Sequence, residues 1–207
     1  MTLRELAGVL GEPPAPEGTW EREALLVSAA ALRRRLRPEA LAARVREVPG
    51  VTRVAVRATG LLEVAVRVPG ELLESFEVPE IPVPGWPDFP RTWDNPGFVV
   101  RYGHVRARAV ARWARQLGVP EEGFEAAALD GPWDRRVLRV LAELPGRAAG
   151  RAPGWEAYLV RLALAYHDAH EHAPAVPRGD EPARAVHTAR VRLAAAVGEV
   201  LAGPERL

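Results

Sequence analysis

Apolar positions recur along this chain with two periods, and the change of period divides it. Residues 1–10 carry the spacing of a short amphipathic helix, and Gly11 to Gly18, with Pro13, Pro14 and Pro16, reads as a breaker-rich loop. Thr19 is placed to N-cap a helix through Trp20, Leu25, Leu26, Ala29 and Leu32, with Glu21 and Glu23 in its first turn. Pro38 opens another helix that runs to about Glu47, ahead of Pro49-Gly50. The period then becomes two. Val51, Val54 and Val56 alternate with Arg53 and Arg57, and Leu62, Val64, Val66 and Val68 alternate after Ala58-Thr59-Gly60, which predicts a β-hairpin. Residues 70–76 predict one more short helix.

From Pro79 to Pro96 six prolines forbid regular structure, while Trp86, Phe89 and Trp93 suggest a connector that packs onto a domain. Beyond Asn95 the period is helical, with spans near 95–118, 132–144, 153–172 and 181–202 separated by Pro- and Gly-containing breaks. The fold expected is therefore a small α+β N-terminal domain over 1–76, a Pro-rich linker over 77–92 and an all-α helical bundle over 93–207.

Composition narrows the chemistry. Hydrophobic residues make up 48% of the 207, enough for a packed core, and the formal net charge of +1 rules out a uniformly basic coat but not a local patch. There is no cysteine, hence no disulfide, thiolate nucleophile or thiolate metal site. All 28 basic residues are arginine, which removes Schiff-base chemistry and the lysine of a P-loop. Ser28 and Ser75 lie outside any G-x-S-x-G elbow, and no Gly-rich phosphate loop occurs. No run of about 18 apolar residues reads as membrane-spanning, and the acidic, amphipathic start is unlike a signal peptide, so the expected location is the cytoplasm. His167 and His170 share a helix face as zinc ligands can, but His172, two positions on, points elsewhere, so neither a metal nor a cofactor is expected.

The segment Asn95-Pro96-Gly97-Phe98-Val99-Val100-Arg101-Tyr102-Gly103-His104-Val105-Arg106 resembles the start of the DALR-type anticodon-binding domain of arginyl-tRNA synthetases, where Asn-Pro and an aromatic stretch precede Gln-Tyr-Ala-His-Ala-Arg. Tyr158-Leu159-Val160-Arg161-Leu162-Ala163-Leu164-Ala165-Tyr166-His167 is similar to a later helix of that domain, and Gly203-Pro204-Glu205-Arg206-Leu207 to its Pro-Glu-Arg-Met ending. The first half is similar, more weakly, to the small N-terminal domain of those enzymes that contacts the tRNA core. There Glu63 stands where the family has asparagine, a carboxylate that would repel phosphate. The catalytic domain that joins the two pieces in the synthetases has no counterpart: the His-x-Gly-His signature is missing, and the second ATP signature needs lysine. The resemblance implies a noncatalytic tRNA-binding protein, with arginine-type tRNA as the extrapolated ligand and no amino-acid activation.

Within the 95–118 helix, Phe98, Tyr102, Val105, Ala109, Trp113 and Leu117 form one stripe, expected to be the apolar face. Arg101, His104, Arg108, Arg112 and Arg115 form a second, and no acidic residue lies between Asn95 and Pro120. The second stripe can track RNA phosphates or can be an ordinary solvated face; with the resemblance it becomes the candidate nucleic-acid-binding row, joined by Tyr102 either as core or as a ring that stacks on a base. Arg106 is expected to be a partly buried structural arginine that pairs a carboxylate or helix end. The competing reading is a synthetase-derived module that has lost RNA and binds a partner protein or enzyme. Arginines minus carboxylates give −2 over residues 1–90 and +3 over 91–207, a modest charge for an RNA binder.

Overall fold

Local propensity and edge chemistry build a four-stranded antiparallel sheet in the first half, followed by an all-α bundle. The computed structural model describes residues 3–82, 85–87, 89–150 and 154–202. Helix α1 (Leu3–Leu10) buries Leu6 and Leu10 and ends at Gly11, whose positive φ turns the chain. Strand β1 (Ala15–Glu17) lies at the sheet edge, where Pro16, with no N–H to give, does no harm. Strand β2 (Ala24–Ser28) is followed by a single turn of helix, α2 (Ala30–Arg33), and by α3 (Pro38–Arg46), which has Pro38 in its first turn and buries Leu41, Ala42 and Val45. The hairpin β3 (Val51–Val56) and β4 (Leu62–Val66) forms where it is predicted, with a register shift between Val51 and Arg53 that absorbs the three-residue step from Val51 to Val54, and the sheet order is β1-β2-β4-β3.

The helix expected from Thr19 through Leu32 is instead a loop to Glu23, the strand β2 and, from Ala30, the single helical turn α2. Leu25 to Val27 sits between two partners, with Leu26 opposite Val64 of β4 and Pro16 of β1. Ala24, Leu26 and Ser28 are buried while Leu25 and Val27 are half-buried, the period-two pattern of a central strand. A short apolar run fits either period, and pairing on both edges decides it.

Residues 76–95 contain no helix or strand among the described positions. The connector is tied down at its end by Asn95. Its side-chain oxygen accepts from Gly97 N (2.9 Å), while Nδ2 donates to the carbonyls of Pro87 (3.1 Å) and Pro90 (2.8 Å). The Asn-Pro pair is thus an N-cap followed by a first-turn proline, and its amide also fastens the linker. Helix α4 (Pro96–Gln116) packs on α7 (Trp155–His172) and α8 (Ala185–Leu201), and α5 (Pro132–Leu141) packs on α7. The single helix expected over 132–144 breaks near Glu143, and α6 (Leu144–Ala148) restarts with Pro145 in its first turn.

The two halves touch directly. A 3-10 turn over Pro69–Ser75 lies against a second one over Ala126–Ala128 and against α5 and α8. Two α5 arginines reach the 18–22 loop: Arg135 Nη1 donates to the carbonyls of Trp20 (3.2 Å) and Arg22 (3.3 Å), and Arg139 Nε donates to that of Gly18 (2.6 Å). Leu72 and Leu73 belong to the same apolar cluster as Leu26 and Val64 on one side and Val137 and Leu193 on the other.

Candidate nucleic-acid interface

Helix α4 turns a different face to the core from the one its large apolar residues suggest. Val99, Val100, Gly103, Ala107, Val110 and Ala114 are buried, whereas Val105, Trp113 and Leu117 are 54%, 41% and 52% exposed. Phe98 and Tyr102 are half-buried, and of the expected apolar stripe Ala109 alone is fully covered. Residue size explains the reversal. An ideal Cβ on Gly103 would lie 3.1 Å from Leu201 Cδ1 and 3.2 Å from Ala163 Cβ, and one on Gly198 would lie 3.4 Å from Ala107 Cβ. Three helices come together through small residues, so the face that is buried is the one that permits close approach.

That approach also overturns the placement of His104 in the binding row. Its side chain is 2% exposed, and Nδ1 lies 3.0 Å from Gly198 O. Gly198 is in the last turn of α8, whose carbonyls run out of helical donors. A carbonyl can only accept, so Nδ1 carries the proton, and His104 fastens α4 to the end of α8 out of reach of any ligand.

The remaining expected residues do form a surface row. Arg108, Arg112 and Arg115 are exposed; Arg101 is half-buried, and its Nη2 donates to Pro87 O (3.2 Å). Helical spacing sets this ridge beside the Phe98–Tyr102–Trp113 strip, so cations and rings share the solvent half of α4. The rings are ordered among themselves: Phe98 stacks on Tyr102 with centroids 5.6 Å apart, and Arg106 lies over the Tyr102 ring at 5.0 Å. As expected of a structural arginine, Arg106 pairs the Glu171 carboxylate on α7, and its Nη1 donates to His167 Nδ1 (2.7 Å). His167 therefore carries its ring proton at Nε2. The hydrogen bond from Arg106 holds the Glu171 carboxyl below its ordinary pKa.

The later stretch that resembles the synthetase helix is mostly interior. Tyr158, Leu159, Leu162, Ala163 and Tyr166 are buried, and burial pushes both phenols above their ordinary pKa. The nearby histidines meet different neighbours. His167 faces Arg106 and Trp93, His170 lies by Trp113 and Tyr166, and His172 stacks on Trp133 at 4.4 Å. Burial, then Arg106, holds His170 below the ordinary imidazole value. Among the described residues no three His, Asp or Glu side chains gather as a metal ion would need.

Trp93 is expected from the sequence only to pack the connector onto a domain. The structure brings it onto the α4 rings and His167. Its position two residues before the Asn95 cap was the available signal. On the sheet, Glu63 accepts from Arg53 Nη1 (2.7 Å) and Arg57 Nη2 (2.6 Å), while the same arginines also pair Glu23 and Glu17. These hydrogen bonds, first from Arg57 and then from Arg53, pull the Glu63 carboxyl below its ordinary pKa. The carboxylate is thereby paired within the sheet, in a cluster of two arginines and three glutamates. The terminal segment from Gly203 lies outside the described residues.

Comparison with known proteins finds bacterial arginine–tRNA ligases. The ligase of Clavibacter sepedonicus is 38% identical over 117 residues, which covers 54% of this chain and 21% of the ligase. That of Frankia alni is 39% identical over 119 residues, 54% of the chain and 22% of the ligase, and that of Paenarthrobacter aurescens 34% over 114 residues, 53% and 21%. The similarity thus takes in about half of this chain and about a fifth of each ligase. No family model and no solved structure matches. No helix among the described residues is long and apolar enough to cross a membrane.

Proposed function

We propose that the protein binds tRNA without acting on it chemically, through a helical half that works as a DALR-type anticodon-binding domain. In this reading residues 93–207 are that domain, 1–76 are a counterpart of the synthetase domain that contacts the tRNA core, and 77–92 replace the catalytic domain. The observation that carries it is the solvent face of α4. Arg101, Arg108, Arg112 and Arg115 run along one helix beside half-exposed aromatic rings, with no carboxylate between Asn95 and Pro120. Arginines on such a ridge neutralise phosphates and position the strand; base identity is read by other contacts. The similarity to part of arginine–tRNA ligases supports tRNA as the polyanion and the arginine type as its first candidate. The place of action proposed is the cytoplasm.

A second reading has its own observation. Val105 and Trp113 on α4, Leu117 at its C-cap and Leu164 on α7 are large apolar residues 41–54% exposed, as a protein-binding surface would be. One experiment separates the two. Changing Arg101, Arg108 and Arg112 together to Glu should weaken tRNA binding at moderate salt. It should also flatten the log–log salt dependence by up to about one unit per lost phosphate contact. Equal binding of tRNA and unrelated RNA by the unaltered protein, with no effect of the triple change, rejects tRNA recognition and leaves the protein-partner reading.

A further inference from the structure

Trp93 is fixed in place and yet half in water. Its ring stands nearly perpendicular to Phe98 (5.9 Å, 80°) and to Tyr102 (5.5 Å, 82°), and tilted against His167 (4.7 Å, 46°). The residue is nevertheless 50% exposed. The supports are themselves held. Tyr102 lies between Phe98 and the Arg106 guanidinium, and Arg106 is anchored by His167 and Glu171. The backbone two residues later is pinned by the Asn95 cap and its bonds to Pro87 and Pro90. A tryptophan recruited for burial alone would be covered; this one is buttressed from the linker, from α4 and from α7 while keeping open surface. The arginine ridge begins close by in the chain: Arg101 lies in the second turn of α4, with Arg108 and Arg112 beyond it on the same ridge.

We infer that Trp93 is a stacking platform for one unpaired nucleobase of the RNA that lies along the α4 ridge. The inference rests on the tRNA-binding reading and adds a residue that the arginine row does not include. An indole held in advance loses little side-chain freedom when a base settles on it, so the stacking energy appears as affinity. Every base has a π-face, so Trp93 contributes affinity without naming the base. The exposed carboxylate of Asp94, its neighbour in sequence, opposes the approach of a phosphate. Asp94→Asn should therefore tighten binding modestly.

The test uses the full chain and a stem-loop RNA with an unpaired loop, titrated by fluorescence anisotropy beside the same stem closed as a duplex. Trp93→Ala should weaken loop binding about tenfold, within the range one stacked base supplies. Trp93→Phe should lose much less, and both variants should keep the salt slope of the parent. Replacing loop nucleotides one at a time by abasic residues should reveal one position at which the alanine variant and the parent bind alike. Saturating RNA should quench an emission component that is absent from the phenylalanine variant, a readout independent of whether the alanine variant folds well. Unchanged affinity of Trp93→Ala while the triple arginine variant is impaired overturns the platform and spares the tRNA reading. An alanine penalty that persists with every abasic loop also overturns it, because the ring then acts through structure alone. Failure of the parent to prefer the stem-loop over the duplex overturns the platform, and failure to prefer tRNA over unrelated RNA takes the underlying reading with it.

Discussion

Replacing Gly70 by alanine should destabilise the protein, although the usual entropic effect of that change runs the other way. Gly70 lies in the 3-10 turn that faces the Ala126–Ala128 turn, and its φ is not in the left-handed region, so alanine meets no backbone strain of its own. On chain entropy alone the substitution would stabilise by about 0.4–1 kcal/mol. The added Cβ, however, would lie 2.2 Å from the carbonyl oxygen of Ala126, 3.0 Å from its carbon and 3.2 Å from its Cα. Ordinary contact distances are about 3.5–4.0 Å. The obstacle is backbone, so no rotamer change relieves it and the two turns must move apart. Overpacking of this kind costs about 1–3 kcal/mol, and a clash against backbone belongs at the upper end. A net loss of about 2 kcal/mol corresponds to a fall in Tm of about 4–8 °C for a chain of this size. The natural control is Gly146 in α6, where a Cβ would meet nothing within 4 Å. Alanine there should raise stability by about 0.5–1 kcal/mol. Thermal and urea unfolding followed by circular dichroism would place the two glycine-to-alanine variants on opposite sides of the parent. A Gly70→Ala protein as stable as the parent, with an unchanged m-value, would refute the direct seating of one turn on the other.

Two further changes probe charge. Glu63→Gln removes a carboxylate whose folded-state pKa lies below its unfolded value, so its contribution is complete above the unfolded pKa of about 4.3 and vanishes as pH falls through the folded one. Acid unfolding curves should show the variant less stable than the parent near neutrality by about 1 kcal/mol or less, converging with it at low pH; a constant gap down to the lowest pH would contradict the argument. Asp134 is 1% exposed and holds Arg190 through both carboxylate oxygens (3.0 Å each), which ties α5 to α8. Asp134→Ala removes the counter-charge and leaves Arg190 Nη1 on the Pro174 carbonyl (3.2 Å); it should cost about 3 kcal/mol in equilibrium unfolding, whereas a double change of Asp134 and Arg190 to leucine should recover most of it. A double variant no better than the single would show that the pair does more than neutralise itself.

Much of this protein follows from its sequence alone. Period-two alternation placed β3 and β4 because a half-buried strand leaves that pattern whatever surrounds it, and Pro38, Asn95-Pro96 and the Gly and Pro breaks marked helix ends by local chemistry. The absence of lysine and cysteine restricted chemistry without reference to any fold. Tertiary structure decided the rest, wherever one pattern served two environments. Leu25 to Val27 fits a helix or a strand, and only β1 and β4 on either side make it a strand. On α4 the stripe of large rings and the stripe of glycine and small aliphatics are both apolar. The second is interior because Ala163, Gly198 and Leu201 approach too closely for anything larger, and the rings are left at the surface. His104, polar and one position from Gly103, entered the core for a different reason: a carbonyl at the end of α8 accepts its Nδ1 proton, and sequence does not say which helix end comes near. Arg108, Arg112 and Arg115 were readable as a surface row because a charged side chain without a carboxylate near it in the helix is costly to bury. Trp93 was not, because its value as a platform depends on rings and a histidine that only the folded chain assembles around it.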